Sequence, residues 1–350
     1  MPENARTPAN AGAPGELAIG LFGAGRIGAV HARAVAAAPG ARLVAVADAA
    51  PEAAERVARE HGAERREIDA ILDASDVDAV LICTPTDTHA ALIERAVRAG
   101  LAVFCEKPIA LDLARTRAAL AVVRETGAVL MVGFNRRFDP HFVGVHRAVR
   151  EGRIGEVEIV TLQSRDPAPP PLDYIRRSGG LFKDMAIHDL DQARWLLGEE
   201  PVLVSAHGSV LVDPAIGGAG DIDTGTIVLE TESGKQAIIS VSRRASYGYD
   251  QRVEAHGSRG AVRAENQRPV DIEIAGEGGH VRPPLHDFFM TRYTAAYAAE
   301  IAAFVAAVRE GTPMSPSGED GLRALALAEA ANLALREGRR VRVDEVMEAA

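Results

Sequence analysis

Lysine is nearly missing from this chain. Of 39 basic residues in 350, only Lys107, Lys183 and Lys235 are Lys, and the rest are Arg. The bias reads as genomic, yet it makes each retained Lys a position to question. Lys235 follows Ser233-Gly234 and reads as hairpin-turn chemistry. Cysteine is almost as scarce. Cys83 and Cys105 each stand near the end of an apparent buried strand, which points to two core thiols in a reduced, cytoplasmic protein rather than to a disulfide framework. An excess of positive charge is lacking too. The formal net charge of −10 argues against a nucleic-acid or anionic-membrane partner. No apolar run approaches the ~18 residues needed to cross a bilayer. The first sixteen residues have no apolar h-region and read as a disordered leader, not a signal peptide. Internal repeats are absent, and no metal site is expected. What remains is 47% hydrophobic and 25% charged, the balance of a soluble globular protein with room for two domains.

The periodicity of the two halves differs. From Leu17 to Val132 short apolar runs alternate with helical patterns. Strands are expected at Leu17–Phe22, Leu43–Ala47, Ala79–Cys83, Ala102–Cys105 and Val129–Val132. Helices are expected at Arg26–Ala38, Pro51–His61, Thr88–Ala99 and Asp112–Glu125. Continuous apolar strands separated by helices predict a doubly wound α/β domain on a parallel sheet, over 17–138. After one helix, Pro140–Glu151, longer and partly alternating strands follow at Glu156–Ser164, Val202–Val212, Thr226–Thr231, Gln236–Arg243, Arg252–His256 and Val270–Ile274. They predict an α+β domain over 139–350 with an open, mainly antiparallel or mixed sheet and helices on one face. The stripe Tyr293, Tyr297, Ile301, Phe304, Val308 reads as the core face of a late helix. An Ala/Leu-rich helix follows near Gly318–Arg336, and these C-terminal helices are free to pack back on the first domain.

Gly23-Ala24-Gly25-Arg26-Ile27-Gly28 is a G-x-G-x-x-G placed after a strand and opening a helix, the context in which the motif binds a dinucleotide. Its first glycine permits a tight turn, its second lets the backbone approach a pyrophosphate, and its third allows close helix–strand packing. Asp48, twenty residues on at the end of the second strand, is placed to bind the adenosine ribose hydroxyls and to repel the 2′-phosphate of NADP. Ala49-Ala50-Pro51 offers no Arg beside it, so NAD is favoured, although Arg26 remains available to a phosphate or to Asp48 itself. Thr84-Pro85-Thr86-Asp87-Thr88-His89 follows the next strand. It reads equally as crevice lining or as a turn in which Asp87 or Thr88 caps a helix. Glu106-Lys107-Pro108 ends the strand after that. Lys107 is either a cation aimed at a reacting hydroxyl or a snorkelling partner of Glu106.

The second chemical signal lies in Gly179-Gly180-Leu181-Phe182-Lys183-Asp184-Met185-Ala186-Ile187-His188-Asp189-Leu190-Asp191. On a helix, Asp184 and His188 would share one face. An imidazole can take a proton near neutral pH, and a neighbouring carboxylate can orient it and stabilise the charge it gains. The same spacing also suits a plain surface pair or a capping Asp.

Together these motifs resemble the glucose–fructose oxidoreductase/inositol dehydrogenase/rhizopine-catabolism (Gfo/Idh/MocA) family, and most closely its inositol dehydrogenases. The likeness extends through Gly133-Phe134-Asn135-Arg136-Arg137-Phe138-Asp139, Ser164-Arg165-Asp166-Pro167 and Tyr247-Gly248-Tyr249-Asp250. It continues through Phe288-Phe289-Met290-Thr291-Arg292-Tyr293 and Gly318-Glu319-Asp320-Gly321, covering everything from about Leu17 onward. The resemblance implies a Rossmann domain, a second domain often joined into a tetramer through its open sheet, and NAD-linked oxidation of a ring hydroxyl. Myo-inositol to 2-keto-myo-inositol is the first expectation. It implies Lys107, Asp184 and His188 as the catalytic trio. For the cofactor it implies Gly23, Gly25, Arg26, Ile27, Gly28, Asp48, Thr84, Pro85, Thr88, His89, Glu106 and Lys107. For the substrate it implies Asn135, Asp166, Tyr247 and Tyr249 beside the trio, the tyrosines reaching in from their strand. Two other outcomes are compatible with the same motifs: an NAD-dependent glycosidase that recycles its cofactor, and a catalytically silent NAD-binding sensor.

Overall fold

The computed structural model describes residues 15–349, so the leader expected at the N-terminus lies, up to residue 14, outside the described residues. The chain divides into two compact units. One runs up to Phe138 and adds Ala295–Arg323; the other is Asp139–Thr294 with the chain from Ala324 onward.

In the first unit six strands form one sheet: β1 (Leu17–Phe22), β2 (Ala41–Ala47), β3 (Glu64–Arg65), β4 (Ala79–Ile82), β5 (Ala102–Cys105) and β6 (Leu130–Val132). Their order is β3-β2-β1-β4-β5-β6, with every pair parallel. β1, β4 and β5 are buried at every position, as strands covered on both faces must be. The strand order reverses between β1 and β4, so the carboxyl ends of these strands open the crevice where such sheets bind ligands.

Residues 295–323 return to this unit, and packing explains it. The helix Thr294–Glu310 inserts Ile301, Phe304 and Val305 into the core that holds Ile19, Leu21, Leu81 and Phe104. The Phe104 and Phe304 rings meet edge to face at 5.9 Å. The apolar stripe from Tyr297 to Val308 is thus a core face, but of the nucleotide-binding fold.

The second unit carries β7 (Val157–Arg165), β8 (Pro201–Ser209), β9 (Thr224–Thr231), β10 (Gln236–Ser242), β11 (Asp250–Gly257), β12 (Gly260–Ala264), the small hairpin β13 (Ile274–Gly276) and β14 (Gly279–Val281), and β15 (Val341–Arg342). Seven of them form a mixed sheet in the order β12-β11-β7-β10-β9-β8-β15. Only the central β7–β10 pair is parallel. Burial alternates along β9, β10 and β11, and the helix Ile187–Leu197 packs on β7 and β10. The out-of-phase residues Ile159 and Ile238 stay partly exposed.

Two expected strands are corrected. The run Val202–Val212 stops at Ser209 because the amides of Leu211, Val212 and Asp213 leave the ladder and donate to the buried Asp223 carboxylate at 2.8–3.0 Å. Burial alone would raise that carboxyl's pKa; the three amides outweigh it and hold it below the usual range. The run Val270–Ile274 does not join the main sheet. Its alternation has no buried side, since Val270, Ile272 and Ile274 are all exposed, and only Ile274 enters a strand, in the isolated β13–β14 hairpin.

Candidate active site

The glycine motif forms the turn between β1 and the helix Arg26–Ala37. Gly23 has φ +96°, and a Cβ there would stand 2.5 Å from the Cys83 carbonyl oxygen at the end of β4. A Cβ on Gly28 would collide with the Gly23 carbonyl, so that position also admits no side chain. Gly25 is the opposite case: nothing lies within 4 Å of its would-be Cβ. It is the helix N-cap, makes no side-chain cap, and the first turn holds no acid. Free amides and a positive dipole end beside open space fit the pyrophosphate of a dinucleotide. Arg26 and Ile27 open the helix, Arg26 exposed.

Asp48 follows β2. Its Oδ2 accepts the Ala24 amide at 2.6 Å and its Oδ1 the Ala50 amide at 2.7 Å. The carboxylate is therefore fixed by backbone, not by Arg26, and braces the glycine turn.

The Thr84–His89 segment begins a helix at Thr86, earlier than expected. Pro85 stands at the N-cap and no side chain caps the helix, so neither Asp87 nor Thr88 caps it. Thr84 and Thr88 join hydroxyl to hydroxyl at 2.6 Å. His89 turns inward. It is buried, with Nδ1 2.8 Å from the Pro108 carbonyl and Nε2 2.7 Å from that of Thr84, so it ties two crevice loops together. Burial pushes its pKa down against the pull of both carbonyls. Glu106 also turns inward. Its Oε1 lies 2.7 Å from His31 Nε2, and its Oε2 accepts the Lys107 amide at 3.2 Å. Nearby Glu300 is fully buried, and burial first, then Glu106, raises its pKa. Lys107 itself is half-buried directly behind β5. Asn135 lies in the turn Asn135–Phe138, almost fully buried, with no hydrogen-bond partner for its Nδ2 among the described residues.

In the second unit, Asp184 lies in a π-helical turn, Phe182–Ala186, that runs directly into the helix Ile187–Leu197 with His188 at its second position. Wide turns of this kind recur at functional sites because they re-aim a side chain within a helix. The Tyr174 hydroxyl donates to Asp184 Oδ1 at 2.7 Å, and Arg243 Nη2 stands 3.3 Å from Oδ2. Next to His188, Asp189 accepts the Ser164 hydroxyl of β7 at 2.6 Å, which pins this helix to the sheet. Lys183 pairs with Glu329 at 2.6 Å.

Asp166 follows β7, half-buried, its amide donating to the Ser242 carbonyl. Tyr247 and Tyr249 precede β11 rather than lying in it. The exposed Tyr247 accepts from Arg165 at 2.7 Å and donates to Asp250 at 2.5 Å. The Tyr249 ring is buried edge-on between Phe288 and Tyr293 and packs an aromatic cluster.

Tyr174, Arg243 and Asp221 were not singled out from sequence. One signal was readable. Ala237, Ile239 and Val241 are the buried positions of β10, and Arg243 is next in phase, which by strand parity directs it inward.

Residues 17–134 match the NAD-binding Rossmann fold of the oxidoreductase family GFO_IDH_MocA, and residues 146–343 match that family's C-terminal alpha/beta domain. Inositol 2-dehydrogenase of Rhizobium meliloti (strain 1021) is 66% identical over 325 residues, 93% of this chain and 98% of that protein. Among solved structures, a myo-inositol dehydrogenase from Corynebacterium glutamicum is 43% identical with a TM-score of 0.90, covering 93% of this chain and 98% of its own. The scyllo-inositol dehydrogenase from Lactobacillus casei with bound NAD(H) and scyllo-inositol is 31% identical with a TM-score of 0.88, covering 94% and 99%. A parallel sheet with a glycine turn and an open mixed sheet with an acid–histidine helix, each matched along nearly its whole length, establish that the chain belongs to the Gfo/Idh/MocA oxidoreductase family.

Proposed function

We propose that this chain is an NAD-dependent dehydrogenase of a cyclitol or sugar, with oxidation of myo-inositol to 2-keto-myo-inositol as its reaction. The observation that carries the reading is the occurrence of Asp184 and His188 on their π-to-α segment together with Lys107 behind β5, in a chain 66% identical to an inositol 2-dehydrogenase. His188 takes the hydroxyl proton, and Asp184 orients the imidazole and stabilises its positive charge. The Lys107 ammonium favours alkoxide character on the same oxygen. NAD, when bound at the glycine turn, supplies the hydride acceptor.

Asp48 supports NAD over NADP, since a fixed carboxylate at the end of β2 repels a 2′-phosphate. The test is a panel of inositols and aldoses assayed with both cofactors. NADH should accumulate with a free inositol. Glycoside cleavage without net NADH would replace the reading with a glycosidase, and no turnover at all with a sensor. In the same assay Asp48→Ser should narrow the NAD/NADP ratio of kcat/KM. Part of that change will come from lost NAD efficiency, because the Ala24 and Ala50 amides lose their acceptor. Equal kcat/KM for the two cofactors in the unmodified protein would defeat the assignment.

The apolar side chains on the open sheet face, Ile159 and Ile238, support a homotetramer assembled through that face, a state that light scattering at micromolar concentration reads directly. The two free, buried thiols Cys83 and Cys105 support a cytoplasmic setting. No helix among the described residues is long and apolar enough to cross a membrane.

A further inference from the structure

Arg243 is a guanidinium buried to 1% exposure at the end of β10, and it stands between two carboxylates. Its Nη2 is 3.3 Å from Asp184 Oδ2 and 3.8 Å from Asp221 Oδ2. Its backbone amide is held by the Asp223 carbonyl at 2.8 Å, so the base of the side chain is fixed to the neighbouring strand. Asp221 works from the other side. Its Oδ1 accepts the Leu181 amide at 3.0 Å and packs so closely on Gly180 that a Cβ there would fall 2.8 Å from it. Gly180-Leu181 leads straight into the π turn that presents Asp184. Tyr174 completes the set by donating to the other oxygen of Asp184.

Packing alone does not account for this arrangement. Burying a guanidinium carries a desolvation cost that ion pairs repay only with good geometry and full hydrogen bonding. Here the Nε of Arg243 has no acceptor among the described residues, and its nearest carboxylate contacts lie at 3.3 and 3.8 Å. An apolar side chain at this in-phase position of β10 would continue the row Ala237, Ile239, Val241. What Arg243 does supply is a fixed cation at Asp184 Oδ2, itself anchored beside Asp221.

We propose that Arg243, locked by Asp221 and assisted by Tyr174, is a positioning residue that holds Asp184 for its work on His188. The inference rests on the catalytic role given to Asp184 above. Without Arg243, Asp184 loses the cation at its Oδ2 and the orientation that this contact gives.

The test is a double-mutant cycle of Arg243→Met with Asp184→Asn, assayed on myo-inositol with NAD. Melting temperature and NAD affinity by fluorescence titration are measured alongside. Arg243→Met alone should lower kcat by ~10²-fold, in the range that loss of an electrostatic or orienting group produces, with NAD affinity unchanged. In the Asp184→Asn background the same change should cost less than about threefold, because residues that act through one another are not additive. Equal costs in the two backgrounds, or wild-type kcat in a folded Arg243→Met protein, would overturn the inference while leaving Asp184 in place. Wild-type kcat in Asp184→Asn would instead remove the catalytic reading itself. If Arg243→Met does not fold, Tyr174→Phe carries the cycle, since Tyr174 is 44% exposed and loses only a hydroxyl. Its kcat loss should likewise vanish in Asp184→Asn, and an additive loss would overturn the proposal.

Discussion

Replacing His188 with Ala should reduce inositol oxidation by on the order of 10²–10⁴-fold, the usual contribution of a positioned general base. The size follows from the chemistry. Moving hydride from a carbon whose hydroxyl still carries its proton builds positive charge on oxygen, and a base that accepts the proton in the transition state removes that cost. In the unmodified protein, oxidation should rise with pH as the imidazole sheds its proton, and the Ala variant should lose this limb. The fold should tolerate the change. The helix Ile187–Leu197 is held at Asp189 by the Ser164 hydroxyl and by the buried row Ile187, Leu190, Ala193, Leu196 and Leu197, none of which depends on residue 188. NAD affinity should change little, because the glycine turn and Asp48 belong to the other compact unit. The measurements are kcat against pH and NAD titration. Near-normal kcat with an intact pH profile would return His188 to a structural role.

The architecture was legible in the sequence wherever local pattern and burial agree. The buried strands β1, β4 and β5 are continuous apolar runs bounded by turn residues, and the glycine turn carries its reason in Gly23 and Gly28, where backbone crowding admits no side chain, and in the open space beside Gly25. Legibility failed where a tertiary partner decides. Nothing local tells that Asp223 will strip the amides of 211–213 from a strand, or that the Tyr297–Val308 stripe closes over the Rossmann sheet. The site divides the same way. The motif Asp184-x-x-x-His188 is visible, but the π turn that carries Asp184 depends on packing and the Asp221 grip, not on any residue signature. His89 and Tyr249 show what a motif alone does not tell. Each sits within a motif, and a motif does not distinguish the residues that touch a ligand from those that hold the loop: His89 joins two carbonyls, and Tyr249 fills an aromatic cluster.

The chain's own preference for Arg makes Lys107→Arg the sharpest test of the catalytic reading. Only three of its 39 basic side chains are Lys, so a generic surface cation at 107 would be replaceable by the residue used almost everywhere else. The backbone there is anchored from below, with the Lys107 amide on Glu106 Oε2 and Glu106 in turn on the buried His31. A change at 107 therefore alters the head group without loosening the loop. An ammonium is a compact point charge on a flexible stem, whereas a guanidinium is broad and planar, with its charge spread over a fork of donors. If Lys107 stabilises a developing alkoxide, only the compact charge fits the small space beside a reacting oxygen. Lys107→Arg should then keep the fold and measurable NAD binding while losing ~10²-fold or more in kcat. Thermal melting and light scattering come first, so that misfolding is separated from lost chemistry. Steady-state kinetics on the best inositol then decide the matter, and a folded Lys107→Arg protein with wild-type turnover would take Lys107 out of the mechanism.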